Sequence, residues 1–143
     1  MALRIRDARL DDSSRIAELL DQLGYPTEPS AVGPRLERLG IVGDRVVVAE
    51  LDGAVVGLAH LQVTPALEHE RPAAKLAALV VDADQRGHGV GRALVEAMED
   101  EARLRGCEVL YLTTSERRDD AHSFYESVGL QHTGRRYGLT LSE

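Results

Sequence analysis

Between residues 86 and 92 the chain reads Arg86-Gly87-His88-Gly89-Val90-Gly91-Arg92, with an apolar run ending at Val81 before it and an amphipathic run beginning at Val90 after it. Glycines at alternate positions allow a sharp turn. They also let backbone N–H groups converge on an anion at the start of a helix, where the first amides lack helical acceptors and the macrodipole favours negative charge. A strand, a glycine turn and a helix in that order point to an α/β layer architecture with a cradle for a diphosphate.

The turn departs from the commonest phosphate-binding patterns. A P-loop needs Gly-x-x-x-x-Gly-Lys-Ser/Thr, and the chain has no Lys-Ser or Lys-Thr pair. A dinucleotide fingerprint starting at Gly87 requires Gly or Ala at position 92, where Arg92 stands, and requires glycines immediately after the strand. What fits is Arg-x-x-Gly-x-Gly, from Arg86 to Gly91, after the strand-like Leu76-Ala77-Ala78-Leu79-Val80-Val81-Asp82. This resembles the acyl-CoA motif of the GNAT superfamily of N-acetyltransferases. A second resemblance lies in Ala121-His122-Ser123-Phe124-Tyr125-Glu126-Ser127-Val128-Gly129-Leu130. In that family this helix carries a tyrosine facing the thioester sulfur, and the match puts Tyr125 there.

A length of 143 residues with 43% hydrophobic residues predicts one domain, residues 1–143, around one core. The early charges of the start, Arg4, Arg6 and Asp7, do not suit a secretory signal, and no apolar run approaches a membrane span. A cytoplasmic protein is expected. Cys107 is the single cysteine and the five histidines show no His-Glu-x-x-His spacing, so neither a disulfide nor a bound metal is expected. A net charge of −7 works against a nucleic-acid partner, since phosphate binding needs a basic face.

Residues 3–8 read as a strand, and Asp11-Asp12-Ser13-Ser14 can cap the helix that follows. In that helix Ile16, Leu19, Leu20 and Leu23 form one stripe, closed at Gly24. A shorter helix covers residues 30–39. Residues 45–51 and 54–63 are strands joined by Asp52-Gly53, a strong hairpin signal. After a polar connector over residues 65–72, residues 75–81 are almost continuously apolar, as befits a strand covered on both faces. The helix over 89–105 is expected to bury Val90, Ala93, Leu94, Ala97 and Met98 and to end at Gly106. A strand at 109–113 follows, which makes it parallel to the one at 75–81. A helix over 118–128 and two short strands at 130–133 and 137–141 complete the chain.

This order matches the GNAT fold: an α/β (α+β) domain whose mixed central sheet has about seven strands, with a splayed pair of parallel strands and about four helices. The resemblance implies acetyl-CoA as cosubstrate, with no metal. It places pantetheine in the gap between the splayed strands, on the backbone of Leu79, Val80 and Val81, and the diphosphate on Arg86, Gly87, His88, Gly89, Val90, Gly91 and Arg92. The acceptor site would be walled by segments holding Tyr25, Glu28, Arg135, Arg136 and Tyr137. Members of the family often dimerise, so the resemblance extends to a homodimer.

Acetyl transfer to an amine needs a neutral nucleophile and a protonated leaving sulfur. An amine of pKa ~10.4 lies roughly 4 to 5 kcal/mol from neutrality at pH 7. A thiol of pKa about 8.5 is within reach of a phenol as proton donor, which suits Tyr125 as general acid. Many relatives carry a glutamate base on a splayed strand; residues 76–81 and 109–114 contain none, and Thr113 occupies one such place. Arg118 stands where some relatives have a cofactor-binding asparagine, and Arg117 and Arg118 are further phosphate candidates. Glu68, His69, Glu70, His60, Glu116 and His122 are candidates for the base, beside a relay of water. The resemblance thus implies an N-acetyltransferase acting by direct transfer in a ternary complex, on a small-molecule or peptide amine. The rival reading is a non-catalytic module that binds or senses acyl-CoA.

Overall fold

A computed structural model describes residues 2–113, 119–134 and 136–141; for Asp119 and Asp120 only the backbone is described. The chain divides into two compact units, Met1–Tyr111 and Leu112–Glu143. In the first, β1 (Leu3–Asp7), β2 (Arg45–Leu51), β3 (Ala54–Thr64), β4 (Ala73–Val81) and β5 (Val109–Tyr111) form a five-stranded sheet in that order. The first four strands pair antiparallel and β4 pairs with β5 in parallel. Helices α1 (Ser13–Leu23) and α2 (Pro29–Ile41) follow β1, and α3 (Val90–Leu104) links β4 to β5.

Local chemistry accounts for these elements. Asp52 and Gly53 both take positive φ, the backbone that a two-residue hairpin loop with right-handed twist requires. Gly24 and Gly106 end α1 and α3, each with the same pair of backbone bonds: Gly24 N–H to Asp21 and Tyr25 N–H to Leu20, Gly106 N–H to Arg103 and Cys107 N–H to Ala102. Asp12 does not cap α1 through its side chain. Its carboxylate accepts two bonds from the Arg6 guanidinium at 2.8 and 2.9 Å and one from Arg9 N–H at 2.7 Å. With Asp12 only 6% exposed, a charged donor outcompetes the helix end for it.

Helices cover both faces of the sheet. Ile16, Ala17 and Leu19 of α1 and Val32 of α2 cluster with Val48, Val55, Leu58 and Val80. Gly57, which pairs with Ala49, lies against Val90 and Leu94 of α3 instead, and because side chains alternate along a strand, α3 lies on the opposite face from α1. The buried residues of α3 are Val90, Leu94, Val95, Met98 and Ala102. Ala93 and Ala97, expected in the core, are half-buried. The stripe is therefore rotated toward Val95 and Ala102.

The second unit contains α4 (Asp119–Ser127), ended at Gly129. Residues 130–134 and 136–141, expected to contain two strands, form none among the described residues, and Tyr137, Leu139 and Leu141 are exposed. Their alternation is a strand pattern, but strand structure needs a partner ladder, which a local pattern does not supply. The sheet accordingly has five described strands where about seven were expected.

Candidate cofactor site

The site is built at the end of β4. The parallel ladder with β5 has rungs Ala73↔Val109, Ala74↔Leu110 and Lys75↔Tyr111 and stops there. From Leu76 to Val81 the edge of β4 turned away from β3 has no strand ladder among the described residues, so Leu79, Val80 and Val81 lie where an extended ligand can pair as a strand would. Along β3 the register shifts between His60↔Ala78 and Leu61↔Leu76, which leaves Ala77 as the extra residue of a bulge. A bulge beside an unpaired edge changes the direction of the backbone groups offered there.

After Val81 the chain turns sharply. Asp82 N–H donates to Val56 C=O at 2.8 Å, and a short 3-10 turn, Ala83–Gln85, follows. The Asp82 carboxylate accepts from Asp84 N–H at 3.0 Å and from Arg15 Nη2 at 2.7 Å. These bonds, the Asp84 N–H first and then Arg15, hold the Asp82 carboxyl below the ordinary carboxylate range. Arg15 also donates to Val55 C=O through Nε and Nη2, at 3.0 and 2.9 Å, and pairs with Glu18. Gln22 Oε1 accepts from Ala83 N–H at 3.0 Å. Two turns of α1 thus grip the corner from which the glycine segment departs.

In that segment Gly87 has φ +88° and Gly89 has φ +78°, both in the left-handed region that side chains with a Cβ rarely adopt. Gly89 is the N-cap of α3, and the first helical bond runs from Ala93 N–H to Gly89 C=O at 3.1 Å. The amides of Val90 and Gly91 precede that ladder. Among the described residues no atom outside the local chain lies within 4 Å of a Cβ position on Gly87 or Gly89, and Arg86, Gly87, His88 and Gly89 are exposed. The turn is thus uncrowded by the described residues, and free amides at a helix start are the donor type that suits a diphosphate. The Val90 side chain is buried against Gly57, which leaves only its backbone to be offered at the turn. Gly91 lies inside the first turn of α3 and Arg92 is exposed beside it.

Tyr125 lies in the second unit. Its ring sits edge-on to Phe124, with centroids 5.8 Å apart and planes at 63°. The end of α4 is locked by Gly129 N–H to Glu126 C=O and Leu130 N–H to Tyr125 C=O, at 3.1 and 3.0 Å. Tyr125 and His122 are both half-buried in that unit.

The remaining candidates are distributed elsewhere. His60 is held by Asp44, Nε2 to Oδ2 at 2.8 Å, with both side chains largely buried. His69 Nδ1 lies 3.3 Å from Glu108, whose other carboxylate oxygen accepts from Arg71 N–H. The Arg71 amide pulls the Glu108 carboxyl below its ordinary value, ahead of His69. This cluster fastens the connector, including Glu68 and Glu70, at the Ala73 end of β4, about 25 Å along the strand from Val81. Tyr25, Glu28, Arg136 and Tyr137 are exposed. Glu116, Arg117, Arg118 and Arg135 lie outside the described residues. Sequence reasoning did not single out Arg15 and Gln22, which look like ordinary polar positions of an amphipathic helix. It also missed Gly57, although a glycine inside an apolar strand is itself a signal of close approach.

The Acetyltransferase (GNAT) family model matches residues 13–130. A glucosamine 6-phosphate N-acetyltransferase from Trypanosoma brucei brucei is 31% identical over 144 residues, covering 94% of this chain and 95% of that protein. An aminoalkylphosphonate N-acetyltransferase from Salmonella typhimurium is 35% identical over 90 residues, covering 63% of this chain and 58% of its own length. Among solved structures, an acetyltransferase from Trypanosoma brucei superposes with a TM-score of 0.82 at 28% identity, over 98% of this chain and 100% of that one. No helix among the described residues is long and apolar enough to cross a membrane. With the glycine turn, the β4 edge and the family match in agreement, the chain belongs to the acetyltransferase (GNAT) family of acyl-CoA-dependent acetyltransferases.

Proposed function

We propose that this chain is a single-domain N-acetyltransferase that transfers an acetyl group from acetyl-CoA to a small primary amine, by direct transfer in a ternary complex. The observation that carries this reading is the left-handed pair Gly87 and Gly89 before α3, next to a β4 edge that has no ladder beyond Lys75 among the described residues. Bound acetyl-CoA supplies the acyl group as a thioester. The amides of residues 87–92 hold its diphosphate, with Arg86 and Arg92 adding charge, and the backbone of Leu79, Val80 and Val81 pairs with its pantetheine arm. Tyr125 protonates the departing sulfur as general acid. Two of the relatives are named for amines that carry a phosphate or a phosphonate, which supports a small anionic amine over a peptide as acceptor.

Calorimetry with CoA, followed by free-thiol release from acetyl-CoA across a panel of amines that includes glucosamine 6-phosphate and aminoalkylphosphonates, tests the reading. Binding with turnover on at least one phosphorylated or phosphonylated amine is expected. Tight CoA binding without turnover on any amine would favour a cofactor-binding module, and absence of CoA binding would overturn the site.

A further inference from the structure

We infer that Arg15 and Gln22 of α1 are positioning residues for the cofactor-binding turn, holding the residue 82–84 corner so that the amides of residues 87–91 are set before a diphosphate arrives. The inference rests on the proposed acetyl-CoA site and adds to it a device outside the glycine motif. Neither residue belongs to the turn, and they lie 7 positions apart on α1, which puts both on one helix face. Arg15 joins Val55 C=O at the start of β3 to the Asp82 carboxylate after β4, while its pair with Glu18 stays within α1. Gln22 fixes Ala83 N–H one residue further along.

The physical need for such a grip is plain. Residues 86–89 are exposed and two of them are glycines in the left-handed region, so the turn has little packing of its own and large conformational freedom when released. Where the turn runs into α3, the start of that helix is seated on the sheet through Val90 and Leu94. At the near end of the turn the hydrogen bonds to Asp82 and Ala83 do that job. Binding to a turn that is already set avoids the ordering cost. Asp21, next to Gln22, accepts from Thr27 N–H at 2.7 Å, so the same turn of α1 also fixes the loop after that helix.

The test combines Gln22→Ala and Arg15→Met with Glu18→Ala as control, since Glu18 is exposed and pairs with Arg15 within α1, away from the corner. Hydrogen exchange of the peptide covering residues 82–92 and calorimetry with CoA and with pantetheine, which lacks the diphosphate, are measured on each. The latch variants are expected to exchange faster in that peptide and to lose about tenfold in CoA affinity while pantetheine binding stays unchanged. Glu18→Ala is expected to match the wild type. Gln22→Ala keeps the inference testable should Arg15→Met fail to fold. Equal loss for both ligands, or no loss for either, overturns the latch. Wild-type protein that does not bind CoA overturns the functional reading as well.

Discussion

Gly57 of β3 lies directly under Leu94 of α3: a Cβ on Gly57 would stand 2.9 Å from Leu94 Cδ1, 3.1 Å from Val90 Cγ1 and 3.3 Å from Ala49 Cβ. Leu94 is fully buried, so it cannot swing into solvent to make room. The missing side chain lets the first turns of α3 sit close on the sheet, and that contact sets where the start of the helix points. Gly57→Ala is expected to lower stability by about 1–3 kcal/mol through overpacking. Gly57→Val should cost more. Urea denaturation measures both, and equal midpoints for wild type and Gly57→Val would contradict the close seating.

Gly89→Val tests the turn itself. Among the described residues its Cβ would meet nothing beyond the local chain, so the stability cost is that of φ +78° and should be about 1–2 kcal/mol. CoA affinity should fall much further, by at least ~100-fold, because in the proposed cradle the added group would stand where the diphosphate binds. Calorimetry showing undiminished affinity would remove Gly89 from the cradle.

Tyr125→Phe keeps the ring and its edge-on contact with Phe124 while deleting the hydroxyl. A drop in kcat on the order of 100-fold is expected, with little change in the acetyl-CoA KM. Steady-state assays that return an unaltered kcat would exclude Tyr125 as the acid.

The buried Arg6–Asp12 pair should contribute to acid stability in the first unit, together with the depressed carboxyls of Asp82, Glu101 and Glu108. The Arg6 hydrogen bonds come first among the causes that hold the Asp12 carboxyl below its ordinary value. A depressed carboxyl contributes stability that is complete above the unfolded-state pKa, about 3.9, and is lost as pH falls through the lower folded value. Stability should therefore be flat from neutral pH to about 5 and decline below about 4. Asp12→Ala strands the Arg6 guanidinium, 10% exposed, with Glu50 as its remaining carboxylate, and should cost about 3 kcal/mol at pH 7. Chemical denaturation at pH 7, 5 and 3 checks both parts. An acid decline of the same size in the variant as in the wild type would show that other carboxylates carry the effect.

Most of the order of elements could be read from the sequence because its causes are local. The stripe of Ile16, Leu19 and Leu23, the Asp52-Gly53 hairpin and the glycines that end α1, α3 and α4 act through neighbours a few residues away, and all stand where the pattern places them. The turn from Arg86 to Gly91 was legible for the same reason: left-handed backbone at Gly87 and Gly89 and a helix start at Val90 are properties of a short segment. The strand patterns at 130–133 and 137–141 were legible as alternation only, because a strand exists when another strand pairs with it. Tertiary structure alone decided that Asp12 answers Arg6 instead of its own helix, that β4 outruns the ladder of β5 after Lys75, and that Arg15 and Gln22 reach the corner at Asp82 and Ala83. Each joins groups far apart in the chain, and long-range partners depend on how layers pack, which no local spacing of residues encodes.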